Sequence, residues 1–171
     1  MAKNEIKRRI DWAGYINVAP KGSGEEATEF AVMGTGFTEQ GDSPSAQTSG
    51  KRYVNMKCET KNITGYDWSS AFTADDIPDE KAIAFLYNIG DKELTGADAS
   101  TDYVKVDFLK PVGDSTTEFE AKMRTVACEI SEFSDNDGEM QVSGNLLAKD
   151  DWVFGKFDTS TKKFSKIVEE P

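Results

Sequence analysis

The sequence predicts a mainly β protein in which strands form a sandwich or barrel and one α-helix packs across a face or open end. Apolar and polar residues alternate with a period of two over most of the chain, as in strands that bury one face. One stretch departs from this period and has apolar residues at helical spacing. The 171 residues are the length of one domain, so residues 1–171 are treated as a single domain.

Three strands are predicted before the helix. The first covers 12–18 and ends before the turn-rich residues 21–24, and the second covers 28–33. The third covers 52–60 and carries on one face Val54, Met56 and Cys58.

Five strands are predicted after the helix. Residues 104–108 alternate up to a turn at 111–114. Within 117–133 the apolar positions change from odd to even, which predicts a β-bulge near Arg124 and Thr125. Turn formers at 134–138 then join this strand to the alternating residues 140–146, which is typical of a hairpin. The last pair of strands is predicted at 152–157 and 163–168.

The helix is predicted over 79–89, where apolar residues recur at helical spacing: Ala82, Ile83, Leu86 and Ile89. Acidic residues and a proline at 75–78 suit a helix start, and Gly90 suits a left-handed residue at its end. A wide apolar face requires a sheet to pack against.

The polar segment 38–51 is predicted to be a long hairpin loop between neighbouring strands. It has no large apolar residue, so it cannot offset its ordering entropy alone. Loops of this length are usually either disordered or functional. In an assembly, this loop is suited to reach a neighbouring subunit and to become ordered there.

Composition argues against several classes of function. Lys and Arg number 20, Asp and Glu number 31, and the net charge is −11 with no histidine. An acidic chain is unsuited to dedicated binding of duplex DNA, because affinity for phosphates comes mainly from clustered Lys and Arg. Ser-His-Asp and Cys-His catalysis, HExxH zinc sites and all His-ligated metals require an imidazole that this chain lacks.

No motif assigns a catalytic, metal-binding or cofactor-binding residue. Residues 34–39 begin like GxGxxG but carry Glu39 at the third glycine position, which indicates a turn. Residues 135–139 lack the ligand spacing of a calcium loop. Cys58 and Cys128 form no CxxC motif and are interpreted as small buried residues on strands. We therefore expect no enzyme activity and no cofactor.

The chain also lacks the apolar segments of membrane and secretory proteins. It contains no run of about 18 or more apolar residues, and none follows the basic N-terminus. We expect neither a membrane span nor a secretory signal.

Residues 126–158, VACEISEFSDNDGEMQVSGNLLAKDDWVFGKFD, carry a resemblance to a known family. A long strand, an acidic turn with glycine, an alternating strand and a short final strand follow one another. This order resembles the closing half of the major tail (tail tube) proteins of long-tailed bacteriophages. The upstream order is also similar: an N-terminal strand pair, a long hairpin loop, a strand at 52–60 and then one helix.

The resemblance implies a β-sandwich or half-open barrel flanked by one α-helix. Six subunits would form a ring, and stacked rings would form the tail tube through which DNA is ejected into the host. The implied partners are the chain itself, tape-measure protein and tail-terminator protein, with no membrane. The protein would belong to the virion tail and be made in the host bacterial cytoplasm. Carboxylates lining the lumen would repel phosphates, so DNA would pass without specific binding.

The resemblance also assigns subunit contacts. Segment 38–51 is similar to the loop that packs on adjacent subunits or the next ring, through Gln40, Gly41, Asp42, Ser43, Pro44, Ser45, Gln47 and Thr48.

The basic N-terminal segment, residues 1–10, contrasts with the acidic remainder and suggests inter-subunit contacts by Lys7, Arg8 and Arg9. Their partner would be an acidic surface of a neighbour, such as the Glu169-Glu170 tail, and a solvated chain end is the alternative. Replacing all three cations with Glu is expected to weaken assembly at low salt. Unaltered tube formation in electron micrographs would contradict this hypothesis.

Two other classes remain open. A β-sandwich binding module could recognise carbohydrate or protein through the aromatic residues Tyr15, Tyr66, Trp68 and Trp152. An enzyme could use paired carboxylates such as Asp150 and Asp151. Within the tube interpretation, a contractile tail or a secretion-like injection device is a further alternative.

Overall fold

The computed structural model describes residues 5–19 and 28–167. It has eleven strands and one α-helix in these residues, together with short 3-10 turns at Arg9–Asp11 and Gly96–Ala99. The elements in chain order are β1 (Trp12–Asn17), β2 (Phe30–Val32), β3 (Phe37–Ser43), β4 (Ala46–Lys51), β5 (Thr60–Tyr66), β6 (Ser69–Asp75), α1 (Lys81–Asp91), β7 (Ser100–Pro111), β8 (Glu118–Asn136), β9 (Glu139–Ala148), β10 (Val153–Asp158) and β11 (Lys163–Lys166).

Nine of these strands form one antiparallel sheet. Its order is β2-β1-β7-β8-β9-β6-β3, and β10 and β11 extend it from the edge of β8. The sheet curls so that β3 comes to lie across from β7, where the Gln40 side chain hydrogen-bonds the Tyr103 hydroxyl. The remaining two strands, β4 and β5, pair only with each other in the described chain. The predicted fold class, mainly β with one flanking helix, is confirmed.

The sheet has a hydrophobic cluster on each face. The inner cluster lies inside the curl and contains Ile16, Phe72, Tyr103, Val126 and residues of α1. The outer cluster lies on the opposite face, because the neighbours of Ile16 and Tyr103 along β1 and β7 belong to it. Its members are Ala13, Tyr15, Phe30, Val104, Val106, Ala121 and Phe157. β1 and β7 therefore bury both faces.

The two clusters explain why apolar positions change parity along β8. Ala121 belongs to the outer cluster, whereas Val126 and Cys128 belong to the inner one. Pairing with β7 is unbroken through Arg124 and Thr125, so the bulge predicted there is wrong. The irregularity lies between Ile130 and Glu132. It turns Phe133 toward the helix, where its ring centroid is 4.9 Å from that of Tyr87.

The predictions for 38–51 and 52–60 are both wrong. Segment 38–51 consists largely of strands β3 and β4, and residues 52–59 form the turn that joins β4 to β5. The period of β3 was hidden because its inward-facing residues, Gln40 and Asp42, are polar. Cys58, predicted to be buried, is exposed in the turn, whereas Cys128 is buried as predicted. Strands β5 and β6 were not predicted.

The helix is confirmed, but the role predicted for Gly90 is wrong. Gly90 lies within α1, and the positive φ follows at Glu93, with a value of 49°. A Cβ atom on Gly90 would lie 2.7 Å from Ile130 Cγ2 and 2.7 Å from Phe133 Cζ. This glycine therefore allows α1 to approach β8 closely.

The other predicted elements agree with the structure. β1, β2 and β7 occupy the positions predicted for them, and the hairpin β8–β9 turns at Asp137 and Gly138, which both have positive φ. The predicted last pair corresponds to β10 and β11. The turn at 21–24, Val168 and the Glu169-Glu170 tail lie outside the described residues.

We predict that Gly90→Ala destabilises the fold by about 1–2 kcal/mol, because the added methyl group overpacks the contact with Ile130 and Phe133. In an open helix the same change would stabilise the protein. The matched control is Gly41→Ala, where an added Cβ meets no atom within 4 Å. Urea unfolding measures both variants, and an unchanged or raised free energy of unfolding for Gly90→Ala would contradict the close approach.

Candidate functional site

A two-stranded arm projects from the body of the molecule. The arm, defined as residues 46–66, consists of β4, β5 and their connecting turn. Every residue of β4 is exposed, and in β5 only Gly65 is partly covered. A backbone hydrogen bond from Asp67 N to Ser45 O, of length 3.0 Å, closes the base of the arm. An isolated two-stranded ribbon is marginally stable at best in water, so the arm is suited to binding another surface.

The arm exposes apolar side chains that the body of the protein does not cover. Val54 is fully exposed, and Ile63 has 60% of its surface accessible. Tyr53 and Tyr66 are also exposed. The arm is basic as well, with four cations and a single carboxylate: Lys51, Arg52, Lys57, Lys61 and Glu59. Its net charge of +3 contrasts with −14 for the rest of the chain.

The predicted contact residues of 38–51 divide between the arm and the body. Gln47 and Thr48 lie on the arm, while Pro44 and Ser45 lie in the turn at its base. The remaining four are in β3: Gln40, Gly41, Asp42 and Ser43. Gly41 and Ser43 are exposed, whereas Gln40 is buried and Asp42 is partly buried. The segment is therefore only partly available for contact.

Gln40 and Asp42 bind groups within the same chain. Gln40 Nε2 donates to the Tyr103 hydroxyl at 3.4 Å, and its Oε1 accepts from Arg9 Nη2. Asp42 Oδ2 accepts from Lys105 Nζ. These contacts hold β3 against β7, and they give both side chains a structural role.

The N-terminal cations also contact residues of the same chain. Lys7 Nζ lies 2.7 Å from Asp107 Oδ2, and Arg9 Cζ lies 3.9 Å from the centroid of the Trp12 ring. The amide of Arg8 donates to Asp11 Oδ2 at 2.6 Å, and Arg8 is exposed. Contact of these residues with a neighbour stays a prediction, and the proposed partner tail lies outside the described residues.

A cationic groove opens where the arm leaves the body. The basic groove is defined by Lys105, Lys122 and Arg124 together with Trp68 and Trp152. It encloses about 520 Å³ and is further lined by Asp42, Pro44, Gly65, Tyr66 and Asp151. Lys105 and Lys122 also line a smaller neighbouring cavity of about 280 Å³.

The register of the sheet creates this concentration of positive charge. Lys105 on β7 is directly opposite Lys122 on β8, and like charges in that position destabilise a sheet. Tyr103 is opposite Arg124 in the same ladder. The Asp42 carboxylate offsets the charge of Lys105 from the other side of the curled sheet.

Two tryptophans hold Arg124 in the floor of the groove. Its Cζ lies 4.3 Å from the centroid of the Trp152 ring and 5.1 Å from that of Trp68. Only 7% of Arg124 is exposed. Its Nε and Nη1 atoms are buried and have no hydrogen-bond acceptor in the described chain. A guanidinium in this state is incompletely compensated, because rings replace only part of the interaction lost with water.

Burial weakens proton binding by two cations of the groove, Lys122 and Arg124. Burial lowers the pKa of Lys122, the cation of Lys105 lowers it further, and Asp42 opposes the change. Burial also lowers the pKa of Arg124, against the carboxylates of Asp150 and Asp151. Burial raises the pKa of Tyr103, which is therefore a neutral phenol. The groove favours an anion that would neutralise its cations.

Two of the four aromatic residues considered for stacking on a ligand, Tyr15 and Trp68, are buried. Tyr15 is buried against Phe157, with ring centroids 4.5 Å apart, and Trp68 is buried beside Trp152. Tyr66 and Trp152 line the basic groove. Only part of the proposed stacking set is thus accessible.

Within residues 5–19 and 28–167, no group of three or more His, Cys, Asp or Glu could hold a metal ion. In the same residues, no helix has the length and apolar character needed to cross a membrane.

In comparisons with known proteins, no family model matches the chain and no curated protein shows significant similarity to it.

The sequence interpretation missed the basic groove entirely. In the sequence, Lys105 and Lys122 are ordinary polar residues in strands where polar and apolar residues alternate. Trp68 and Trp152 are isolated in sequence. Only strand register and the curl of the sheet bring these residues together, and neither has a local signal.

We predict that the stability of the wild type rises relative to Lys122→Met as pH increases from about 7 to about 10. The pKa of Lys122 is lower in the folded state, so the unfolded state binds more protons in this range and stability rises with pH. The change is expected to be below about 1 kcal/mol, because the ammonium is partly solvated and screened. Urea unfolding at both pH values measures it.

The matched control for this experiment is Lys92→Met, since Lys92 is an exposed lysine just after α1. Comparing this variant with the wild type shows how much of any pH effect comes from removing a lysine away from the groove. Parallel stability profiles for the wild type and Lys122→Met would contradict the interpretation of the groove.

Proposed function

We propose that this chain is a structural subunit of a bacteriophage tail. It assembles into hexameric rings, and the rings stack into the tail tube that conducts DNA during ejection. The observation that carries this proposal is the arm, because it presents exposed apolar and basic side chains that belong to none of the hydrophobic clusters of the described residues. The mainly β fold with one flanking helix agrees with the resemblance that suggested this function.

Charge supports self-association through the arm. The arm carries +3 and the remainder of the chain carries −14, so the arm of one subunit is attracted to the body of another. A contact between two different surfaces of identical chains forms a closed ring or an open stack, according to its rotation. The acidic body also fits a conduit, because it repels the phosphates of passing DNA.

Free sheet edges give a second reason for assembly. In the described chain, β2 pairs with β1 alone and β3 pairs with β6 alone, so each has an unpaired edge. Exposed edges favour pairing with other strands, and joining subunits into a ring removes them.

We predict that Ile63→Asp reduces tube formation at least about tenfold, because it places a carboxylate on the apolar surface of the arm. The matched control is Asn62→Asp, which introduces the same charge one residue away on the other face of β5. Both positions are exposed, so the fold of the subunit is expected to be unchanged. Negative-stain electron microscopy and light scattering across concentration measure assembly.

Two outcomes would contradict the proposal. Tubes from Ile63→Asp equal in yield to those of the wild type would exclude the arm as the assembly contact. A wild-type protein that forms neither rings nor tubes at any concentration would contradict the tube function.

A β-sandwich module that binds carbohydrate or protein is the second candidate function. The groove favours it in one respect, since Tyr66 and Trp152 line an open cavity of about 520 Å³. A monomer with measurable affinity in a glycan-binding assay would support this alternative, and the absence of such affinity would remove its carbohydrate form.

A further inference from the structure

The tip of the β8–β9 hairpin is the counterpart in charge of the basic groove. The acidic tip is defined as residues 129–141, and residues 125–148 contain no Lys or Arg. Its carboxylates belong to Glu129, Glu132, Asp135, Asp137 and Glu139. All five residues are exposed. The tip therefore presents concentrated negative charge to its surroundings.

The hairpin holds these charges in a defined shape. β8 and β9 remain paired up to Asn136 and Glu139. Asp135 Oδ1 accepts a hydrogen bond of 2.6 Å from the Gly138 amide. Met140 is 53% exposed beside the carboxylates. The tip thus combines carboxylates with an apolar thioether, and the groove combines cations with tryptophan rings, which thioethers contact favourably.

The acidic tip and the basic groove lie toward opposite ends of the same strand. Lys122 is near the start of β8, and Asn136 is its last residue. At about 3.3 Å per residue, the two are roughly 45 Å apart along the strand, and even Glu129, the carboxylate of the tip nearest to the groove in sequence, is roughly 17 Å along the strand from Arg124. Charges at that separation are screened at physiological salt, where the Debye length is about 8 Å. The tip cannot neutralise the groove of its own subunit.

We propose that the acidic tip of one subunit docks into the basic groove of a second copy, and that this contact stacks one ring on the next. The proposal rests on the tube function proposed above and identifies the surfaces that join successive rings. Carboxylates of the incoming tip add to Asp42, which already pairs with Lys105, in offsetting the repulsion between Lys105 and Lys122. They also bring negative charge to Arg124, whose buried Nε and Nη1 have no acceptor in the described chain.

The positions of the two surfaces determine the form of the assembly. They differ from each other and lie at opposite ends of a long strand, so the contact is heterologous and leaves a free tip and a free groove after each addition. Such a contact extends an assembly along one axis with uniform polarity. Because it depends on charge, it weakens as salt increases.

The test is a charge exchange between the two surfaces. Glu139→Lys reverses a charge on the tip, and Lys122→Glu reverses one in the groove, where the new carboxylate faces Lys105 and can pair with it. Each variant alone is expected to associate at least about tenfold more weakly than the wild type at low salt. In an equal mixture of the two variants, association is expected to recover to within about threefold of the wild type, because each reversed surface then meets its complement.

The matched controls reverse charges away from both surfaces. Asp91→Lys and Lys92→Glu change adjacent exposed residues at the end of α1, and both are expected to assemble like the wild type. Sedimentation velocity measures association, electron microscopy distinguishes single rings from stacked tubes, and circular dichroism confirms that each variant is folded. Unfolding cannot produce the expected result, since two unfolded variants would not recover on mixing.

The outcomes separate this inference from the proposed function. If the wild type forms tubes but the mixture associates no more strongly than either variant alone, the inference is overturned and the tube function stays intact. Failure of the wild type to form rings or tubes would overturn both. Recovery of association in a mixture of Glu139→Lys and Lys57→Glu would indicate that the tip binds the arm, and this result would overturn the inference.

A second probe tests whether the groove binds phosphate instead. A single-stranded oligonucleotide is titrated into the wild type and into Lys122→Glu. The expected result is no binding by either protein. Binding by the wild type that is lost in Lys122→Glu would assign the groove to nucleic acid and overturn the inference.

Discussion

Strand β8 is the constraint on which the rest of the fold depends. It runs for 19 residues and pairs with β7 along one edge, while the other edge pairs with β10 near its start and with β9 toward its end. Its early apolar residues face the outer cluster and its later apolar residues face the inner cluster. The bulge after Ile130 then turns Phe133 toward α1, whose approach depends on the missing side chain of Gly90. Both clusters and the position of the helix thus follow from one continuous strand.

The alternation of residues predicted most strands wherever one face was consistently apolar. It identified β1, β7, β9 and the helix, and it located the turn at Asp137 and Gly138. It failed in β3, because Gln40 and Asp42 occupy inward positions whose partners, Tyr103 and Lys105, are distant in sequence. It also failed at 52–59, where alternating apolar residues lie in an exposed turn. Periodicity indicates a face and does not show whether anything covers that face.

The candidate site was less accessible to sequence reasoning than the fold. The net charge follows directly from the composition, but its division into a basic arm, a basic groove and an acidic hairpin tip depends on topology. The groove forms because Lys105 is opposite Lys122. A shift of one residue in the pairing of β7 with β8 would move one of these side chains to the other face of the sheet. The tip was visible as an acidic turn, yet its distance from the groove follows only from the length of β8. The net charge of the whole chain therefore gives no sign that positive and negative charges are concentrated in different parts of the molecule.

The exposed arm has a consequence for how this protein evolves. None of the hydrophobic clusters of the described chain contains a residue of the arm, so substitutions there leave the free energy of folding almost unaffected. Under the proposed function, selection on the arm acts through the surface that the arm would bind. In a homomeric assembly that surface is encoded by the same gene, so one lineage can change both together while its core stays fixed. Related proteins are then expected to keep the strand framework, to diverge most in this ribbon, and to exclude each other's subunits from mixed assemblies.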